Sequence, residues 1–190
     1  SAVSRIQSLL DENSFVELGA QITARNTDFN QAAEDTPSDG VVTGHGTIDG
    51  NLVFVFAQEP SVLGGSIGEM HARKILRTYE QALADGAPVI GLLDSTGVRV
   101  LESYDAIESL GSVLSKASDA SGVIPQIMAV FGNCGGGLSA LLSIADFTYM
   151  TDDAKVFFNS PDTLTGNKDT DTSAYAFRST VGGGIDGSGS

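Results

Sequence analysis

Residues 121–150 read SGVIPQIMAVFGNCGGGLSALLSIADFTYM. The apolar run from Val123 to Phe131 suits a strand buried on both faces. It gives way to Gly132 and Asn133. Gly135, Gly136 and Gly137 then stand at the mouth of a stretch, Leu138 to Ala145, with helical spacing, and FTYM supplies a further short strand. Three glycines at that point carry a large conformational entropy cost. A tight strand-to-helix turn with close backbone packing is one reason to accept it. A set of backbone N–H groups aimed at an anion or a developing oxyanion is the other.

The same device recurs upstream. APVIGLLDSTG, residues 87–97, is a second buried-strand run that ends in turn chemistry before a helix expected over Tyr104 to Ala117. In GVVTGHGTIDGNLVFVFAQEP, residues 40–60, two β-rich runs meet at Asp49-Gly50, a strong hairpin signal. SIGEMHARKILRTYEQALADG then spaces Ile67, Met70, Ile75, Tyr79 and Leu83 for one helical face, with Ser66 as N-cap and Gly86 as the stop. Near the start, SRIQSLLDENSFVEL reads as a short helix with Ile6, Leu9 and Leu10 on one face, then a turn and a short strand; KVFFN, residues 155–159, adds a last strand. Strands therefore run into helices through Gly64-Gly65-Ser66, Ser95-Thr96-Gly97 and Gly135-Gly136-Gly137. Each junction places the first N–H groups of a helix at the carboxyl end of a strand, where ligands of α/β proteins usually sit. No glycine loop ends in Lys-Ser or Lys-Thr, and no G-x-G-x-x-G opens a helix after a strand.

Composition narrows the function classes. A chain of 190 residues with 41% hydrophobic residues suits one domain, and a net charge of −14 offers no field for nucleic acid or an anionic membrane. One cysteine, Cys134, and two histidines, His45 and His71, provide neither a disulfide framework nor metal-ligand spacing. No run of about 18 apolar residues and no charged-then-apolar leader is present, so the expected location is cytoplasmic, without membrane insertion. The expected organisation is an N-terminal helix and covering loop over 1–39, a core over 40–165, and a glycine-rich tail over 166–190 that cannot close a core.

Three stretches, 40–75, 87–100 and 121–150, together resemble the biotin-dependent carboxyltransferases, the β-type subunits of acyl-CoA carboxylases and related decarboxylases. The likeness runs in one consistent order over about residues 5 to 165 and corresponds to the N-terminal half of such subunits. It implies the crotonase fold, an α/β superhelix of repeated strand-strand-helix units that binds a coenzyme A thioester. It also implies chemistry that passes through an enolate of the thioester, with negative charge on oxygens met by backbone N–H donors, and with the biotin ureido nitrogen able to take the α-proton. That matches what the junctions lack: they hold no Ser-His-Asp set, nucleophile elbow or paired carboxylates. A hydratase of this fold would want a glutamate just after the triplet, where Leu138 and Ser139 stand.

Residue by residue, DSTGVR resembles the family's D-S-G-G-A-R, so the resemblance implies that Gly97 and Val98 supply donors on one side of the site; Thr96 and Val98 replace glycine and alanine, which adds bulk. NCGGG resembles P-C-A-G-G and implies Gly135 and Gly136 as the other side. VLGGSIGEMHARK matches a stretch lining the coenzyme A cleft, implying Gly64, Gly65 and Ser66 as contacts, with Lys74 and Arg99 as partners of the nucleotide phosphates. Plain salt bridges for Lys74 and Arg99, a surface or supporting role for His71, and simple apolar packing for Cys134 stand beside these readings.

The resemblance further implies biotin on a carrier protein, acyl-CoA as substrate, a second carboxyltransferase half-subunit and an oligomer. Three functions follow: a carboxyltransferase of an acyl-CoA carboxylase, the analogous subunit of an acyl-CoA or malonate decarboxylase, or a non-catalytic acyl-CoA-binding or assembly subunit.

Overall fold

The structure, a computed structural model, describes residues 1–19, 39–61, 68–94 and 104–156. It starts with a short helix, α1 (Ala2–Leu9), where the Ser1 side chain accepts from the Ser4 N–H. Ala2, Ile6 and Leu10 recur every four residues and are buried. Leu9, expected on the same face, lies to one side and is 36% exposed. Strand β1 (Val16–Leu18) pairs antiparallel with β2 (Val41–Ile48), which pairs antiparallel with β3 (Asn51–Gln58). The joining residues Asp49 and Gly50 have φ of 51° and 80°, the left-handed pair that a two-residue hairpin needs. Asp11 clamps this turn: its carboxylate accepts from the Thr47 hydroxyl at 2.7 Å and the Asp49 and Gly50 N–H groups at 3.0 and 2.9 Å. Those bonds, that from Gly50 foremost, hold its pKa below the ordinary aspartate value.

Helix α2 (Glu69–Asp85) begins after Gly68, which caps it through an extended backbone and no side chain. The expected cap, Ser66, lies outside the described residues. Gly86 ends the helix as expected, at φ 66°. The buried stripe is His71, Ala72, Ile75, Thr78, Tyr79 and Ala82, whereas Met70 is 54% exposed. The expected face is thus rotated, because a histidine and a threonine take core positions that hydrophobicity alone assigns elsewhere.

Strand β4 (Val89–Leu93), buried throughout, runs parallel to β3. After α3 (Tyr104–Ala120) come β5 (Gln126–Val130), the two-residue β6 (Asn133–Cys134), a 3-10 turn (Gly136–Ser139), α4 (Ala140–Ile144), β7 (Phe147–Met150) and β8 (Lys155–Val156). The large sheet has the order β1-β2-β3-β4-β5-β7, and β6 pairs with β8 in a small parallel sheet. The strands β5 and β7 lie in the large sheet and the strand after each lies in the small one. This strand-strand-helix repetition is the expected crotonase-like fold.

One face of the large sheet packs Phe54, Phe56 and Met128 against Ile75 and Tyr79 of α2 and Val113 and Ala117 of α3. The other face packs Val53, Val55, Ile90 and Leu92 under α1. Each such fully buried aliphatic or aromatic side chain contributes about 1.5–3 kcal/mol from burial. The expected covering loop, residues 20–38, and the tail from 166 lie outside the described residues. Among the described residues, no helix is long and apolar enough to cross a membrane, and no cluster of His, Cys, Asp and Glu could hold a metal ion.

Candidate functional site

The parallel pairing of β3, β4 and β5 brings their carboxyl ends side by side. From this edge the chain leaves β3 at Gln58, β4 at Asp94 and β5 at Phe131. Gly132, at φ 74°, turns the chain from β5 toward β6. A side chain there would be strained, and its Cβ would stand 2.9 Å from Asp94 Oδ1. Gly135 is extended (φ −133°, ψ 169°) and caps the 3-10 turn that Gly136 opens. A Cβ on Gly137 would run into the Leu110 side chain of α3. Gly137 thus serves packing, and Gly135 and Gly136 lead into the turn.

The charged groups at this edge are engaged. Arg5 of α1 reaches across and donates to Asp94 Oδ2 at 2.5 Å, with its guanidinium 4.6 Å above the Phe131 ring. Glu59 accepts from the Ala2 N–H at 2.8 Å and the Ser61 hydroxyl at 2.9 Å. Lys74 Nζ sits 3.2 Å from the Asp39 carboxylate and donates to the Val41 carbonyl at 2.6 Å. The structure thus places Lys74 in an ion pair at the foot of β2. Burial pushes the Cys134 thiol up to about 12, so it remains an apolar, unreactive group packed in the core.

His71, which sequence alone left as a surface or supporting residue, is fully buried. Its Nδ1 lies 2.9 Å from the Asp39 carbonyl and its Nε2 3.4 Å from Gln58 Nε2. Burial lowers its pKa to about 4, with the Asp39 hydrogen bond and carboxylate opposing and the Lys74 charge assisting. Glu17, whose own pKa is raised first by burial, stands beside the same Lys74 and Asp39 charges. The unfolded chain protonates the imidazole near 6.5 and the folded one only near 4. The group therefore has no effect above about 6.5 and costs stability progressively as pH falls toward 4, on the order of 3 kcal/mol. Urea midpoints followed over this range should fall less steeply for His71→Gln than for the wild type. Parallel slopes would mean that the imidazole titrates normally.

Gly64, Gly65, Ser66, Gly97, Val98 and Arg99 lie outside the described residues. The last described residues before them are Ser61 and Asp94. Gly135 and Gly136 stand at the sheet edge with those two exits; Lys74 lies at the same end of the sheet, where Val41 pairs with Gln58, and is engaged by Asp39. Sequence reasoning missed Gln58, Asp94 and Arg5, which the fold joins at this edge. The available signal was Gln58 itself, an amide closing the run VFVFAQ on the face of Phe54 and Phe56.

The carboxyl transferase domain model matches residues 1–184. The chain belongs to the carboxyl transferase family. It is 44% identical over 158 residues to the methylmalonyl-CoA decarboxylase subunit alpha of Veillonella parvula, covering 83% of this chain and 31% of that protein. It is 43% identical over 165 residues to the propionyl-CoA carboxylase beta chain of Roseobacter denitrificans, covering 86% and 32%. Among solved structures, transcarboxylase 12S with methylmalonyl-coenzyme A and methylmalonic acid bound matches with a TM-score of 0.75 at 38% identity, over 92% of this chain and 34% of that one. This carboxyl transferase chain thus spans about a third of the length of the relatives it matches.

Proposed function

We propose that this chain forms part of a carboxyltransferase that moves a carboxylate between carboxybiotin and the α-carbon of a short acyl-CoA. The observation that carries the reading is the equal likeness to a propionyl-CoA carboxylase beta chain and a methylmalonyl-CoA decarboxylase subunit, 43% and 44% identical. Both names place the chemistry at the α-carbon of a three-carbon acyl thioester. The direction of transfer is then a property of the assembly and its partners.

Biotin on a carrier protein would supply the carboxyl group and, once the bond from that group to its ureido nitrogen has broken, a nitrogen base for the α-proton. The described residues at the sheet edge fit a reaction whose base comes from elsewhere. His71 is buried and neutral, Cys134 is a thiol held at about 12, Asp94 is paired with Arg5 and Glu59 with Ala2 and Ser61. The work left to the chain is orientation and stabilisation of negative oxygen. In this reading Gly97 and Val98 offer backbone N–H groups from one side, and the junction of Gly135 and Gly136 from the other. Gly64, Gly65 and Ser66 line the coenzyme A cleft and Arg99 meets its phosphates, while Lys74 stays with Asp39. A second carboxyltransferase half and an oligomeric assembly complete the enzyme.

The test uses the full-length subunit assembled with its biotin carrier and offers acetyl-, propionyl- and malonyl-CoA in turn. Carboxyl transfer to propionyl-CoA, with measurable heat of binding for the thioester, is the expected result. Binding without transfer would make the chain an acyl-CoA-binding or assembly subunit. Absence of both for every thioester would remove the assignment.

A further inference from the structure

We propose that Gln58 is a positioning residue for carboxyl transfer, one that fixes the point at which the Asp94–Arg99 segment leaves the sheet, and that His71 sets the orientation of its amide. The inference rests on the function proposed above, because the segment it anchors carries the candidate donors Gly97 and Val98.

Gln58 is the last residue of β3 and is 1% exposed. Its side chain continues the face of Phe54 and Phe56, where the strand's period calls for an apolar group. A primary amide in that place is costly unless both of its ends are hydrogen-bonded. Both are. Oε1 accepts from the Asp94 N–H at 3.0 Å, so the NH2 end faces α2, 3.4 Å from His71 Nε2. An amide NH2 can only donate. His71 Nε2 is therefore the lone-pair nitrogen, and Nδ1 carries the hydrogen, donated to the Asp39 carbonyl at 2.9 Å. The chain of bonds is consistent in one polarity only, running from the Asp94 N–H through Gln58 and a neutral imidazole to Asp39.

Asp94 is held in two further ways. Arg5 grips Oδ2 from α1, and the missing side chain of Gly132 leaves room for Oδ1 beside the end of β5. Three elements, β3, α1 and the β5 exit, thus converge on one residue. Gly97 follows three residues later, so it stays within roughly 10 Å of this anchor, at no more than about 3.6 Å per residue. For this role, a displacement of Asp94 has to be passed on to the donors that follow it in sequence. Misplacement of a reacting or stabilising group by about 1 Å costs on the order of 100-fold in rate.

The test compares the wild type, Gln58→Met and Gln58→Glu in the full-length subunit with its biotin carrier. Methionine fills the same space without an acceptor, and should lower kcat about ten- to hundredfold while the KM for propionyl-CoA stays nearly constant. Glutamate keeps an acceptor for Asp94 but offers no N–H to His71 Nε2, so it should recover kcat only in part over Gln58→Met. Amide exchange at Asp94 should be slow in the wild type and in Gln58→Glu, and at least about tenfold faster in Gln58→Met, with Phe54 and Ile90 unchanged. Nitrogen NMR of the wild type should show His71 as the Nδ1–H tautomer, which needs no variant to fold. An Nε2–H tautomer, or a folded Gln58→Met with unaltered kcat and Asp94 exchange, overturns the proposal. A wild type that transfers no carboxylate overturns the function and the catalytic half of the inference, while exchange and tautomer still decide the anchor.

Discussion

Valine in place of Gly91 should leave the domain unable to fold. Gly91 sits mid-strand in β4, in register with Phe56 on one side and Met128 on the other. A Cβ on it would strike the Met128 sulfur and come within 2.5 Å of Phe56 Cζ. Both neighbours are fully buried under α2 and α3, so neither has solvent to retreat into. Overpacking by a single methyl in such a place costs about 1–3 kcal/mol. Valine adds two further carbons and should exceed about 4 kcal/mol, against a total stability of roughly 5–15 kcal/mol for a domain. Gly91→Ala should therefore fold with a lowered urea midpoint by circular dichroism, and Gly91→Val should appear unfolded or insoluble. A valine variant with the wild-type midpoint would mean that the centre of the sheet is not packed as described.

That glycine shows what a sequence carries and what it hides. VIGLL announces a buried strand, yet nothing local says that its middle residue must lack a side chain. Features closed within a few residues were legible, such as the Asp49-Gly50 hairpin and the Gly86 stop, because backbone sterics at those positions decide the conformation. Features closed across the chain were not. His71 takes a core position because partners 13 and 32 residues away satisfy its ring, and Lys74 is claimed by an aspartate 35 residues upstream. The two-residue strands β6 and β8 are too short for any periodicity to mark, and the fold defines them only by pairing them. At the candidate site the glycine triplet was legible as a junction. That Gly137 must lack a side chain follows only from Leu110, on a helix earlier in the chain.

Replacing Gly136 with valine should slow carboxyl transfer by about two to three orders of magnitude while most acyl-CoA affinity remains. Gly136 opens the 3-10 turn at the carboxyl edge of the sheet, after the extended Gly135. In the proposed function its backbone N–H meets the oxygen on which enolate charge develops. A β-branched side chain there obstructs the donor and disturbs the turn that aims it. Loss of one oxyanion donor falls on the charged state, whereas the ground-state thioester oxygen carries less charge and loses less binding. The rate and the affinity should therefore separate, and in the complete complex with its biotin carrier both can be measured on one preparation. Calorimetry should return nearly the wild-type affinity for propionyl-CoA, and the folded circular dichroism should persist. Unfolding of the variant would mean that the whole triplet serves packing. A folded variant transferring carboxylate at the wild-type rate would remove Gly136 from the oxyanion site and leave the stabilisation of the enolate to other residues.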